Sequence, residues 1–117
     1  MTSKDLDKEL EWVDERFLKS IGRIHYLCLI ERGYNNGYEI MDQISEQYHV
    51  KLSTAAVYPV LQTLEEDGYI LGEWVKGTHP QKKKYTLTRQ GKSLLKAART
   101  RIHNLVNSLS QHPRRRR

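Results

Sequence analysis

The chain has 117 residues, 38% hydrophobic and 29% charged, which allows one domain with one core and is too apolar for a disordered segment. Its longest apolar cluster, Ile24 to Ile30, is short and broken by His25, and Lys4, Asp5 and Asp7 follow the start, so neither a bilayer span nor a secretory signal is expected. The net charge is +6, and the single cysteine, Cys28, excludes an intrachain disulfide and a cysteine-held zinc; a reducing, cytoplasmic setting with no metal or cofactor is the expectation.

Leu6, Leu10, Val13, Phe17, Ile21, Ile24, Leu27 and Cys28 recur at three- and four-residue steps, an amphipathic helical stripe. It fits one long helix or two, with a break near Ser20-Ile21-Gly22, and Gly33 ends it. Asn35-Asn36-Gly37 signals a turn. Tyr38, Ile40, Met41 and Ile44 mark a short second helix that stops near Tyr48. Ser53 reads as the N-cap of a third helix whose inner face is Val57, Val60, Leu61 and Leu64, ended by Gly68. Tyr69 to Val75 reads as a strand, Gly77-Thr78-His79-Pro80 as a loop, and Lys83 to Leu87 as a second strand with Tyr85 and Leu87 on one side. Thr88 caps a last helix with the stripe Leu94, Leu95, Ala98, Ile102, Leu105, Val106 and Leu109, about five turns long. A small strand before the third helix is left open. The order predicts a mainly α protein with a small β-hairpin: a winged helix-turn-helix with an extra N-terminal helix and a long C-terminal helix. The expected division is 1–18 helical extension, 19–88 winged helix, 89–111 dimerisation helix and 112–117 basic disordered tail.

Charge is unevenly placed. Every acidic residue lies between Asp5 and Glu73, and from Val75 onward there are only bases: Lys76, Lys82, Lys83, Lys84, Arg89, Lys92, Lys96, Arg99, Arg101 and Arg114 to Arg117. Such a segment repels itself unless it lies along something negative, which favours nucleic acid over a merely solvated surface. On the third helix the face opposite the core holds Ala55, Pro59, Gln62 and Glu66, flanked by Tyr58 and Thr63, with Ser53 and Thr54 at its start. Small residues allow close approach to a major groove, Gln62 suits a bidentate contact to adenine, and the helix N-terminus favours phosphate. Pro59 costs about 3 kcal/mol inside a helix, which argues against an idle surface face. Lys76, His79, Lys82, Lys83 and Lys84 flank or occupy the hairpin tip, where long cations position a protein on phosphate.

The motifs Asn36-Gly37-Tyr38-Glu39-Ile40, Ala56-Val57-Tyr58-Pro59-Val60-Leu61-Gln62-Thr63-Leu64-Glu65-Glu66-Asp67-Gly68-Tyr69-Ile70 and Lys84-Tyr85-Thr86-Leu87-Thr88-Arg89-Gln90-Gly91 together closely resemble the PadR-like transcriptional regulators, over about Ile21 to Leu109. Asn36 stands where that family has histidine, and residues 1–18 precede its usual start. The resemblance implies double-stranded DNA as partner, an inverted-repeat operator, a homodimer and usually repression. It implies that Tyr38 and Tyr58 touch phosphates, that the helix around Ser53 to Thr63 enters the major groove, and that the last helix dimerises. The residues alone also point to dimerisation, because the C-terminal stripe leaves a large apolar patch on a monomer. Leu95, Ala98, Ile102, Leu105, Val106 and Leu109, with Leu6, Leu10, Val13 and Phe17, are the expected interface. Some relatives bind small aromatic or cationic effectors; Trp12 is the candidate pocket residue, against the plainer reading of a structural aromatic. A winged-helix RNA-binding or protein-interaction module is the alternative. No His-x-x-x-His or paired-carboxylate arrangement on a shared predicted face, Gly-rich phosphate loop or nucleophile elbow suggests an enzyme.

Overall fold

The computed structural model describes residues 2–111. The elements run α1 (Ser3–Glu31), α2 (Gly37–Tyr48), α3 (Thr54–Glu66), β1 (Ile70–Val75), β2 (Lys82–Leu87) and α4 (Arg89–Ser110). The basic tail expected over 112–117 lies outside the described residues.

α1 is one continuous helix of 29 residues. Thr2 and Asp5 form a reciprocal capping box at its start. The break weighed near Ser20-Ile21-Gly22 is absent. A helical glycine costs about 1 kcal/mol relative to alanine, and the buried residues Tyr26, Leu27, Leu29 and Ile30 just beyond it hold the helix in place. Arg32 caps the end, and Gly33 then takes φ +105°, a left-handed turn that suits glycine.

α2 begins at Asn36, whose side chain accepts from the Glu39 N–H at 3.0 Å. It ends on His49 at φ 53°. The turn to α3 is tied by the Ser45 hydroxyl, which accepts the Leu52 N–H at 3.1 Å. α3 closes through Gly68 at φ +83°, with the Gly68 and Tyr69 N–H groups donating to the Glu65 and Leu64 carbonyls.

β1 and β2 pair antiparallel from Ile70↔Leu87 to Val75↔Lys82. Each expected strand is displaced by a single residue at its start. No strand precedes α3 among the described residues. Instead the Tyr85 N–H, on the outer edge of β2, donates to the Asn35 carbonyl between α1 and α2 at 2.8 Å.

The core gathers Tyr26, Leu27, Leu29 and Ile30 of α1, Ile40, Ile44 and Tyr48 of α2, and Val57, Leu61 and Leu64 of α3. Ile70 and Tyr85 of the hairpin and Leu95 of α4 close it. Burying each such side chain contributes about 1.5–3 kcal/mol. Leu95, expected at the dimer interface, is only 1% exposed and belongs to this core. The first half of α4 turns its stripe inward onto α1; only the second half is free. The junction before α4 is tight: the Thr88 hydroxyl accepts from the Gly91 N–H and donates to the Gly68 carbonyl at 2.6 Å.

The molecule measures 66 × 35 × 20 Å because the start of α1 and the end of α4 project beyond the core. Leu6, Leu10, Trp12 and Phe17 on α1 and Leu105, Val106 and Leu109 on α4 are exposed, Leu109 by 75%. No helix of the described residues is long and apolar enough to cross a membrane.

Candidate nucleic-acid interface

α3 buries Val57, Leu61 and Leu64 and half-buries Val60. This orientation leaves Thr54, Ala55, Tyr58, Pro59, Gln62 and Thr63 exposed on its outer side. Ser53 occupies the N-cap position, but its side chain makes no capping bond; its carbonyl accepts the Ala56 and Val57 N–H groups instead. The helix therefore starts at an exposed serine whose hydroxyl does not cap it, and the first N–H groups of such a helix end attract a phosphate. Pro59 has no N–H to give the carbonyl four residues earlier, that of Ala55. The Pro59 carbonyl takes a bond from the Thr63 hydroxyl at 2.9 Å. Gln62 donates to the Glu66 carboxylate at 3.1 Å, which lays its amide along the helix. Reading a base with Gln62 requires that bond to open.

Tyr38 of α2 and Tyr58 of α3 are 51% and 40% exposed, and the Tyr58 ring lies against the α2 backbone at Gly37. Gly37 makes this approach possible. A Cβ there would lie 2.7 Å from the Tyr58 hydroxyl and ring, so the α2 backbone serves as a floor for the Tyr58 phenol. Sequence reasoning took Gly37 as a turn residue and missed this role. Asn36 is accounted for by capping α2.

The hairpin tip is closed by Thr78, whose hydroxyl donates to the Val75 carbonyl and accepts the Lys82 N–H, both at 3.1 Å. Gly77 takes φ +81° there. Lys76, His79, Lys82 and Lys84 are exposed around this wing. Lys83 is placed differently from the expectation of a free cation. Its ammonium lies 2.8 Å from Glu65 Oε1 and 5.5 Å from the centre of the Trp74 ring. Period-two alternation turns it toward α3 while its neighbours Lys82 and Lys84 turn away. The ammonium beside Glu65 holds that carboxyl below its usual range, helped by the Gly72 N–H and opposed by burial. Tyr85, on the same face of the hairpin as Lys83, is pushed up to about 12 by burial, then by Glu65 and Tyr58.

Trp12 borders a shallow apolar stretch of surface with Val13, Arg16, Phe17, Lys19 and Ser20, and the Arg16 guanidinium lies 5.1 Å over its ring. All of these residues are on one face of α1.

Three helices followed by a two-stranded hairpin, with a polar outer face on the third helix and exposed bases around the hairpin tip, define a winged helix-turn-helix. The family model described as the transcriptional regulator PadR-like family matches residues 26–97, more than half of the chain, and the chain belongs to that family of DNA-binding regulators. No curated protein matches it closely enough to count as a relative. Among solved structures, it is similar to a PadR-like transcriptional regulator from Bacillus cereus: 24% identity, 84% of this chain and 99% of that one covered, TM-score 0.67. A Streptococcus transcriptional regulator matches at 22% identity over 80% and 92% of the two chains, TM-score 0.69. A PadR family regulator from Eggerthella lenta matches at 17% identity over 91% and 89%, TM-score 0.66. These likenesses bear on the fold.

Proposed function

We propose that the chain is a homodimeric repressor that binds an inverted-repeat operator, with α3 in the major groove and the wing on the flanking backbone. The observation that carries this reading is the outer face of α3: an uncommitted Ser53 hydroxyl, small Ala55, and Tyr58 seated on Gly37, beside an acid-free C-terminal third. Residues 19–88 form the DNA-binding unit in this reading. Residues 1–18 and 89–111 supply the dimer contact, and its two-fold axis sets the reading helices about one DNA turn apart, roughly 34–36 Å. Tyr38, Tyr58, Ser53 and the exposed wing bases Lys76, His79, Lys82 and Lys84 hold phosphates; Thr54, Ala55, Pro59, Gln62 and Thr63 face base edges. The shallow apolar surface at Trp12 supports a planar-effector site, and titration of tryptophan emission with planar aromatic cations tests that part.

The decisive experiment is selection of duplexes from a random pool, followed by gel shift of the best site against RNA of the same sequence. A symmetric duplex bound well ahead of RNA is expected. Equal or tighter RNA binding would sink the reading in favour of an RNA-binding winged helix. Gln62→Ala should lower affinity for the selected duplex by about 1–3 kcal/mol and relax selectivity at one position per half-site.

A further inference from the structure

The wing and the reading helix are joined by one compact contact. The Glu65 carboxylate uses both oxygens on the hairpin: Oε1 takes the Lys83 ammonium of β2 at 2.8 Å, and Oε2 takes the Gly72 N–H of β1 at 3.1 Å. Gly72 opposes Tyr85 in the register, and their N–H groups point outward from the ladder. The Gly72 N–H therefore has no partner within the hairpin, and Glu65 supplies one. The Lys83 ammonium also lies near the Trp74 and Tyr85 rings, at 5.5 and 5.9 Å from their centres. The side chains of Lys83 and Glu65 are 25% and 28% exposed. A Cβ on Gly72 would run into the Lys83 side chain and sit 3.1 Å from Glu65 Oε1, so the missing side chain leaves the space this contact occupies.

Glu65 lies in the last turn of α3, whose start faces the groove in the reading above. We propose that Glu65 and Lys83 are positioning residues that fix the angle of the wing against the reading helix, and that Lys83 acts through this contact and not as a phosphate ligand. The inference rests on the DNA-binding reading for its consequence. A cation already neutralised by a carboxylate at 2.8 Å releases no counterion when DNA arrives, whereas the exposed Lys82 and Lys84 do. Losing the contact lets the hairpin swing in the free protein, so the same wing phosphate contacts form in the complex only after the hairpin is ordered, which weakens binding at every salt concentration without changing their number.

Affinity for a duplex selected by the wild-type protein is measured across a salt series for Lys83→Met, Lys84→Met, Glu65→Gln and the charge swap Glu65→Lys/Lys83→Glu. Lys84→Met should reduce the slope of log K against log salt by about 0.9, while Lys83→Met keeps the wild-type slope. Glu65→Gln is the sharper arm. It removes a negative charge from a DNA-binding surface, so simple attraction predicts tighter binding; positioning predicts binding weaker by roughly fivefold, the size of one partly buried ion pair. The swap should recover the part of that loss carried by the ion pair, and not the part carried by the Gly72 N–H, which a lysine at position 65 cannot accept. Tighter binding by Glu65→Gln, or a slope in Lys83→Met as flat as in Lys84→Met, would overturn the proposal. A separate arm needs no DNA: exchange of the Gly72 amide hydrogen should speed up in Glu65→Ala, and an unchanged rate would show that the contact does not hold in solution. If the wild-type protein binds no duplex while this amide stays protected by Glu65, the DNA-binding reading has failed and the strap between helix and hairpin stands on its own.

Discussion

The contact between Gly37 and Tyr58 shows how one missing side chain can place a functional one. The Tyr58 ring occupies the space a Cβ at residue 37 would need, and its hydroxyl is the far end of a side chain able to rotate away. Gly37→Ala should leave stability within about 1 kcal/mol of wild type, since alanine is the better helix former. It should nevertheless weaken duplex binding toward the level of Tyr58→Phe, because the phenol is displaced. Thermal unfolding and gel shift on the same variant separate the two effects; a large drop in melting temperature would mean the floor is structural. Two further residues set the response to acid. His25 is held below its usual 6.5 by burial and by Arg32, and its ring sits 3.2 Å from the Tyr48 hydroxyl. Glu65 is held below its usual 4.5. In both, the folded state prefers the deprotonated form, so their contribution is complete above those ordinary values and is lost as pH falls through the lower folded ones. Urea midpoints should therefore decline first below about pH 6.5 and again below about 4.5. His25→Gln should flatten the upper step and Glu65→Gln the lower.

At the scale of elements, the helices and the hairpin were legible because each announces itself by period. Three- and four-residue apolar steps gave α1 through α4, and the alternation around Tyr85 gave β2. Caps were legible in part. Thr88 behaves as expected, whereas Ser53 holds an N-cap position without using its hydroxyl, a choice that local sequence does not encode. Lys83 was misplaced for a related reason. Its partner Glu65 is far along the chain, and three successive lysines look alike until alternation and the position of α3 single one out. The junction of the α3–β1 turn with α4 was equally hidden. A Cβ on Gly91 would collide with the Tyr69 carbonyl, a backbone atom that cannot rotate aside. Gly91→Ala should cost about 1–3 kcal/mol, as overpacking usually does, and an unfolding midpoint equal to wild type would show that α4 can lift off without penalty.

For the whole molecule, the informative contrast is between the two halves of α4. Leu95 lies in the core, while Leu105 and Leu109 on the same helix are 60% and 75% exposed. Periodicity treated them as one stripe, because it reports which face is apolar and says nothing about which neighbour covers it. The exposed half, with Leu6, Leu10 and Phe17 of α1, is the patch the dimer reading covers. Leu105→Asp should halve the mass seen in sedimentation and weaken binding to a two-half-site duplex, while far-ultraviolet circular dichroism keeps its helical signal because the site lies off the core. A variant that stayed at wild-type mass would place the interface elsewhere.

The small sheet offers the last consequence. A two-stranded ribbon has two open edges, each a template on which another chain can add a strand. Here each edge is intercepted at its middle: the Gly72 N–H by the Glu65 carboxylate and the Tyr85 N–H by the Asn35 carbonyl. Strand addition at that level would have to displace a bond already made inside the same molecule. These two bonds discourage edge-to-edge pairing at the middle of the hairpin.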